Sequence, residues 1–252
     1  MFTRNREEIE KIRVSAQLVA MTLREMGRHV RPGITTAELD RIAESFIRDH
    51  GARPAFKGYR GFPASICPSV NEEVVHGIPG PRELREGDII GIDVGVEKNG
   101  FYGDAALSFP VGEVSAEARR LLDVTRESLM QGIAQARPGN RVGDISNAVQ
   151  TYVEAQGYSV VKALVGHGIG REMHEEPAVP NFGPAGRGPR LMTGLVLAIE
   201  PMVNTGGFEV VTRSDGWTVA TKDGGLSAHF EHTVAVGPDG PEILSVLPDQ
   251  EN

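Results

Sequence analysis

The sequence predicts an α+β fold made of two related halves, each running helix, helix, strands. Three observations carry this reading. Residues 5–51 read as two capped amphipathic helices, and residues 115–157 read as two more. The second pair repeats landmarks of the first at a constant offset of 106 residues. Arg31-Pro32-Gly33 recurs as Arg137-Pro138-Gly139, Leu39 aligns with Ile145, Ala43 with Val149, Phe46 with Tyr152, Ile47 with Val153 and Gly51 with Gly157. A period that long does not fit a solenoid. It fits a duplicated unit with a pseudo-twofold axis.

In the first half, Asn5-x-x-Glu8 is a capping box. Ile9, Ile12, Ala16, Val19, Leu23, Met26 and Val30 then step by three and four, the apolar face of a long helix that Arg31-Pro32-Gly33 breaks. Thr35-x-x-Glu38 caps a second helix, with Leu39, Ile42, Ala43, Phe46 and Ile47 inward and Gly51 at its end. Ile89 to Val96 is apolar and β-branched, and Asn99-Gly100 is a two-residue turn, so this stretch reads as a β-hairpin. That loop sets Lys98 opposite Phe101, Gly95 opposite Asp104 and Asp93 opposite residue 106. Asp93 and Asp104 then share a face as diagonal neighbours, roughly 7–8 Å apart, with Gly95 leaving room between them. Two carboxylates in an apolar hairpin lose hydration and repel unless a cation sits between them. The alternative is a solvated hairpin edge.

The second half opens with a helix from Ser115 to Gln135. Asp93 shifted by the repeat lands on Ile199, beside Glu200, at the end of the strand-like run Leu195 to Pro201. Phe208 to Thr221 reads as an inserted hairpin with Ser214-Asp215-Gly216 as its turn. A return strand, Ala228 to Val236, carries Glu231 where the first half carries Asp104. Each half therefore offers two acids on adjacent strands, and a pseudo-twofold would bring all four together.

Composition excludes several classes. The 252 residues are 40% hydrophobic and 24% charged, ordinary for a globular chain with a sizeable core. A net charge of −8 argues against nucleic acid or an anionic membrane as main partner. One cysteine, Cys67, rules out an internal disulfide and fits a reducing cytosol. No secretory leader is visible in residues 1–8, and no apolar run approaches the ~18–20 residues of a spanning helix. A cytoplasmic protein is expected.

Four converging carboxylates cannot all stay ionised without cations. Oxygen-rich sites suit ions such as Mn, Fe(II) and Co. A shared carboxylate set holds two ions about 3.5–4 Å apart, with a bridging hydroxide as nucleophile. Nitrogen must come from the seven histidines. His167 lies in Gly166-His167-Gly168-Ile169-Gly170, where the glycines allow close approach of backbone and metal; His174 and His76 are further candidates. Each of the three also reads as a turn residue beside Gly or Pro. There is no H-E-x-x-H helix and no G-x-S-x-G elbow, and the glycines match neither nucleotide-binding pattern.

These residues resemble the type I methionine aminopeptidases across essentially the whole chain. The resemblance rests on Asn71-Glu-Glu-Val-Val-His76-Gly-Ile-Pro79, Ile92-Asp93-Val94 with Gly103-Asp104, Gly166-His167-Gly-Ile-Gly-Arg171 with Met173-His174-Glu-Glu-Pro177, Ile199-Glu200-Pro201-Met202 and Phe230-Glu231-His232-Thr233. It implies the pita-bread fold, a duplicated α+β unit around a curved antiparallel sheet. It also implies one catalytic domain over residues 1–252 in the short bacterial form. By the resemblance, Asp93, Asp104, His167, Glu200 and Glu231 ligate two divalent ions (Co, Mn, Fe(II) or Zn), with Asp104 and Glu231 bridging. Glu200 would shuttle a proton, His174 would contact the scissile carbonyl oxygen, and His76 the amide nitrogen. Tyr59, Phe62, Cys67, Met173 and Trp217 would line the methionine pocket, each equally readable as core packing. The implied activity removes the initiator methionine from nascent chains when the next residue is small, in a monomer that meets the ribosome transiently.

Two positions depart from the pattern. His229 stands where Gln is common, and could reorient the bridging Glu231 or point outward; Met173 stands where Phe is frequent. The competing readings are a prolidase or Xaa-Pro aminopeptidase, which usually carries an extra N-terminal domain, and a pita-bread binding module without metal, which should lack a ligand.

Overall fold

The structure, a computed structural model, describes residues 2–247. In the first half, α1 (Arg6–His29) and α2 (Thr36–Asp49) are followed by β1 (Arg53–Pro54), β2 (Ile66–Val70), β3 (Glu73–Val75), β4 (Ile89–Lys98) and β5 (Phe101–Pro110). The second half opens with α3 (Ala116–Ile133) and α4 (Val142–Ala155). Its strands are β6 (Ser159–Val160), β7 (Gly166–Gly168), β8 (Glu175–Val179), β9 (Val196–Ile199), β10 (Met202–Asn204), β11 (Val210–Thr212), β12 (Val219–Thr221), β13 (Ser227–His229), β14 (His232–Val236) and β15 (Pro241–Ile243).

Local chemistry sets the helix ends. Asn5 accepts from Glu8 N at 2.9 Å while Glu8 accepts from Asn5 N at 3.2 Å, and Thr35 and Glu38 form the same box on α2. The aligned glycines after the helices, Gly33 and Gly139, Gly51 and Gly157, all have positive φ. That left-handed conformation is the reason glycine recurs at both points of the repeat.

Each half has its own core. Val19, Leu23, Met26, Leu39 and Ile47 of α1 and α2 pack on Ile66, Ile90, Ile92 and Val94. Leu121, Leu129, Ile145, Val149 and Val153 of α3 and α4 pack on Leu197, Ile199, Val203 and Val234. The positions aligned by the repeat therefore do the same work twice. Each such side chain, fully buried, contributes about 1.5–3 kcal/mol.

All strand pairs are antiparallel, in four ladders: β1-β4-β2 with β5 on β4, β15-β14-β9-β7-β8, β13-β10-β6, and β11-β12-β3. The β4–β5 register places Lys98 opposite Phe101, Gly95 opposite Asp104 and Asp93 opposite Ala106, as the Asn99-Gly100 turn predicts. The return strand expected over Ala228–Val236 is interrupted: β13 ends at His229 and β14 starts at His232. Glu231 sits in the break, where it pairs with Ala106 of the other half. No helix among the described residues is long and apolar enough to cross a membrane.

Candidate metal centre and active site

The two halves meet along β5. Glu231 N donates to Ala106 O at 2.9 Å and Ala106 N to Glu231 O at 3.4 Å. On one side of this pair, Thr233 Oγ1 accepts from Asp104 N at 3.0 Å and donates to Asp104 O at 2.6 Å. On the other, Ser108 Oγ accepts from His229 N at 3.0 Å and donates to His229 O at 2.9 Å. Residues 104, 106 and 108 thus run against 233, 231 and 229, with a hydroxyl completing the ladder at each end. Ala106 is also the partner of Asp93. This seam brings together Asp93, Asp104 and Glu231.

His167 enters from β7. Its Nδ1 lies 2.9 Å from Gly168 O, a carbonyl that can only accept, so Nδ1 donates there and Nε2 is the ring nitrogen turned towards the acids. Nε2 lies 3.7 Å from Glu200 Oε1 and 3.9 Å from Asp104 Oδ2. One ligand atom from each of Asp104, His167 and Glu231 falls within 4.8 Å of the others. The flanking glycines allow the close backbone approach that was expected. A β-carbon on Gly166 would lie 2.4 Å from Ala198 O, and one on Gly168 2.6 Å from Glu176 O. They admit the neighbouring strands beside His167. Glu200 follows β9, with its carbonyl held by Asn181 Nδ2 at 2.9 Å.

The electrostatics are those of like charges sealed from water. Burial pushes Asp93 and Glu200 up to about 7, opposed by His229 at the first and His167 at the second. Burial, followed by the neighbouring acids, pushes Asp104 and Glu231 well above the carboxylate range. Asp93 Oδ1, Asp104 Oδ1 and Glu231 Oε1 are buried without a hydrogen-bond partner. Orphaned carboxylate oxygens beside an imidazole nitrogen fit a hard or borderline divalent cation.

One cavity is lined by all five of these residues together with His76, His174, Tyr59, Phe62, Cys67 and Trp217. His76 has φ 59°, a conformation that strains a bulky residue, and Gly77 follows because a β-carbon there would lie 2.1 Å from Pro68 O. Burial holds His76 down at about 4. His174 stands at the mouth, its ring 4.1 Å from that of His167 and stacked on Tyr59 at 5.3 Å, with Nδ1 3.0 Å from the Tyr59 hydroxyl. Part of it stays exposed, and the covered face and the neighbouring His167 hold it below the ordinary imidazole range. Its loop is anchored by Glu175, which accepts from Arg171 N at 2.9 Å, Glu172 N at 3.1 Å and the buried Arg4 guanidinium.

The apolar end of the cavity holds the predicted pocket residues. Trp217 meets Phe62 edge-on at 5.2 Å, and its turn is fixed by Asp215, which accepts from Trp217 N and Thr218 N, both at 2.9 Å. Cys67, opposite Asp93, has its thiol pushed up by burial and then by that acid, so it is a wall and not a thiolate. Met173 is buried behind the lining, against Gly95 and Phe56. The room that Gly95 leaves is therefore filled by Met173 and Phe56. Phe56 and Arg60 also line the cavity. Nothing in the local sequence marks them. His229 points inward, with Nε2 3.7 Å from Glu200 Oε2 and 4.0 Å from Glu231 Oε2.

Residues 10–238 match the model of metallopeptidase family M24. A methionine aminopeptidase of Clostridium perfringens is 58% identical over 244 residues, covering 97% of this chain and 98% of that protein. The chain belongs to the methionine aminopeptidases of family M24. This M24 metallopeptidase is similar in structure to the methionine aminopeptidase of Thermotoga maritima, with a TM-score of 0.97 at 44% identity, covering 98% of this chain and all (100%) of that one. The prolidase of Pyrococcus furiosus shares the fold, with a TM-score of 0.80 at 20% identity, over 97% of this chain and 65% of that one.

Proposed function

We propose that Asp93, Asp104, His167, Glu200 and Glu231 hold two divalent cations, Asp104 and Glu231 between them, and that the protein uses this centre to remove N-terminal methionine from polypeptides whose second residue is small. The observation that carries the reading is the buried set of orphaned carboxylate oxygens opening into an aromatic, sulfur-walled cavity. Membership among the methionine aminopeptidases supports the same substrate. Co, Mn, Fe(II) and Zn are the candidate ions.

Bound there, the ions would supply Lewis-acid polarisation of the scissile carbonyl and an activated water at neutral pH. The chain's own residues supply the rest. Glu200, directly after β9 and lining the cavity, is suited to take a proton from the attacking water and return it to the leaving amine. His174, kept neutral, can donate a hydrogen bond to the carbonyl oxygen as charge develops on it. His76, neutral as well, faces the same cavity and would meet the amide nitrogen. Tyr59, Phe62, Cys67 and Trp217 offer aromatic faces and a soft sulfur contact to a flexible thioether, with Met173 packed behind them instead of lining the cavity as the resemblance implies. We place this activity on nascent chains in the cytoplasm, carried out by a single catalytic domain acting as a monomer with transient ribosome contact.

The test uses metal-stripped protein reconstituted with Co, Mn, Fe(II) or Zn, and peptide series beginning Met-Gly and Ala-Pro. Methionine release only from the first series, and only with metal, is expected. Cleavage before proline would move the substrate to the prolidase type. Stoichiometric metal binding without cleavage of either series would overturn the hydrolase reading.

A further inference from the structure

His229 is a buried titratable side chain beside the acids to which the proposed reaction gives no role. It is only 3% exposed, and its Nε2 is buried without a hydrogen-bond partner. Its backbone is fixed on both sides, by the Ser108 hydroxyl and by pairing with Met202, so the ring direction is set by the fold.

The ring faces acids in the same way as His167 does. His167 Nε2 lies 3.7 Å from Glu200 Oε1, and His229 Nε2 lies 3.7 Å from Glu200 Oε2. Each imidazole then has one further carboxylate, Asp104 at 3.9 Å for His167 and Glu231 at 4.0 Å for His229. These separations are too long for N–H···O hydrogen bonds, which fall at about 2.7–3.2 Å. They match the spacing of two donors on one cation, since bonds of about 2.0–2.2 Å place neighbouring donors roughly 3–4 Å apart.

We propose that His229 Nε2 is a sixth metal ligand, giving the second ion a nitrogen donor of its own. This rests on the two-ion reading above. One imidazole would then serve each ion, and Glu200 and Glu231 are acids that face His229 Nε2. A nitrogen in place of an oxygen donor raises the preference of that ion site for Co, Fe(II) or Zn over Mn.

The test compares wild type with His229→Gln, metal-stripped and titrated with Co(II) and Mn(II). The readouts are calorimetry, the visible absorption of bound Co(II), and the number of nitrogen donors per metal by X-ray absorption. In H229Q the first equivalent should bind as in wild type. The second should weaken at least tenfold for Co(II) and less for Mn(II), and the nitrogen count should fall by half. His229→Ala should lose the second equivalent in the same way and recover it in added imidazole, which a merely structural loss would not do. Unchanged second-site affinity and nitrogen count in H229Q would overturn the inference and leave the two-ion centre standing. A wild-type protein that takes no second equivalent would overturn both.

Discussion

Adding one methyl group at Gly103 should destabilise this protein more than adding one at Gly95, although both glycines lie in the same hairpin. A β-carbon on Gly103 would fall 2.4 Å from Ala16 N, 2.6 Å from Ala16 Cα and 2.8 Å from Ser15 C. All three are backbone atoms of α1, and no rotamer change can move them. The helix is also tied down here, by Ser15 Oγ donating to Phe101 O at 2.9 Å and by the buried Ile12 and Ala16. Normal carbon contacts lie at about 3.5–4.0 Å, so α1 would have to retreat by roughly 1 Å along its contact with β5. Overpacking of this kind costs typically 1–3 kcal/mol, and rigid backbone on the far side puts Gly103→Ala at ~3 kcal/mol. For a chain of this size that is a fall in melting temperature of about 6–12 °C. At Gly95 the β-carbon would meet Met173 Cε at 2.4 Å and Phe56 Cε1 at 2.6 Å, both ends of side chains. Gly95→Ala should therefore cost nearer ~1 kcal/mol. It should push Met173 and Phe56 towards the cavity and raise KM more than it lowers kcat. Calorimetry of the two variants with and without metal, together with peptide kinetics, measures all of this. A Gly103→Ala protein melting within about 2 °C of wild type, or below Gly95→Ala in damage, would refute the claim that β5 and α1 are in rigid contact beside Asp104.

Three further outcomes follow from the same geometry. Asp104→Asn should abolish stoichiometric metal binding, measured by native mass spectrometry, while leaving the metal-free protein as stable as wild type or more so in urea with chelator, because a buried carboxylate crowded by Asp93 and Glu200 has been removed. Asp93 and Glu200, at about 7 without metal, hold protons below that pH which a cation must displace, so affinity should fall as the solution is acidified. Each displaced proton is worth about tenfold per pH unit, and calorimetry at pH 6 and 7 in buffers of different ionisation heat would expose a pH-independent affinity as a contradiction. Thr233→Val keeps the shape but removes the hydroxyl that serves both Asp104 N and Asp104 O, so it should cost about 1–3 kcal/mol and weaken metal binding; an unchanged melting point would show that the seam does not depend on it.

The parts of this architecture that the sequence reveals are those encoded within a few residues. Asn99-Gly100 defines a two-residue loop, a two-residue loop fixes the register, and the register puts Asp93 and Asp104 on one face. The capping boxes and the left-handed glycines mark the helix pairs of both halves, so the duplication can be read before any contact is known. What stays hidden is long-range. Thr233 and Ser108 act on residues 129 and 121 positions away, and neither carries a local signal for that role. The break between β13 and β14 has the same origin: Glu231 leaves the ladder of its own half to pair with Ala106, and an alternating run gives no warning of a partner from the other half. The glycines around His167 show a close backbone approach in sequence, but not that Ala198 and Glu176 are what approaches. Even the inward aim of His229 depends on β10 and β5 holding its backbone, both far from it in the chain.

The seam also accounts for the duplication having chemical consequences. Asp93 and Asp104 belong to the first half, His167, Glu200, His229 and Glu231 to the second, so neither half alone contains the donors for a closed site. Bringing them together buries four carboxyls that repel one another, and two hydroxyl clasps and one short bridge hold them there. In the absence of metal the chain accommodates this by raising its carboxyl pKa values, which keeps protons where the cation belongs. If these acids hold the cations, metal binding and proton release are one event in this fold, and a seam residue such as Thr233 acts on metal affinity only through the placement of Asp104.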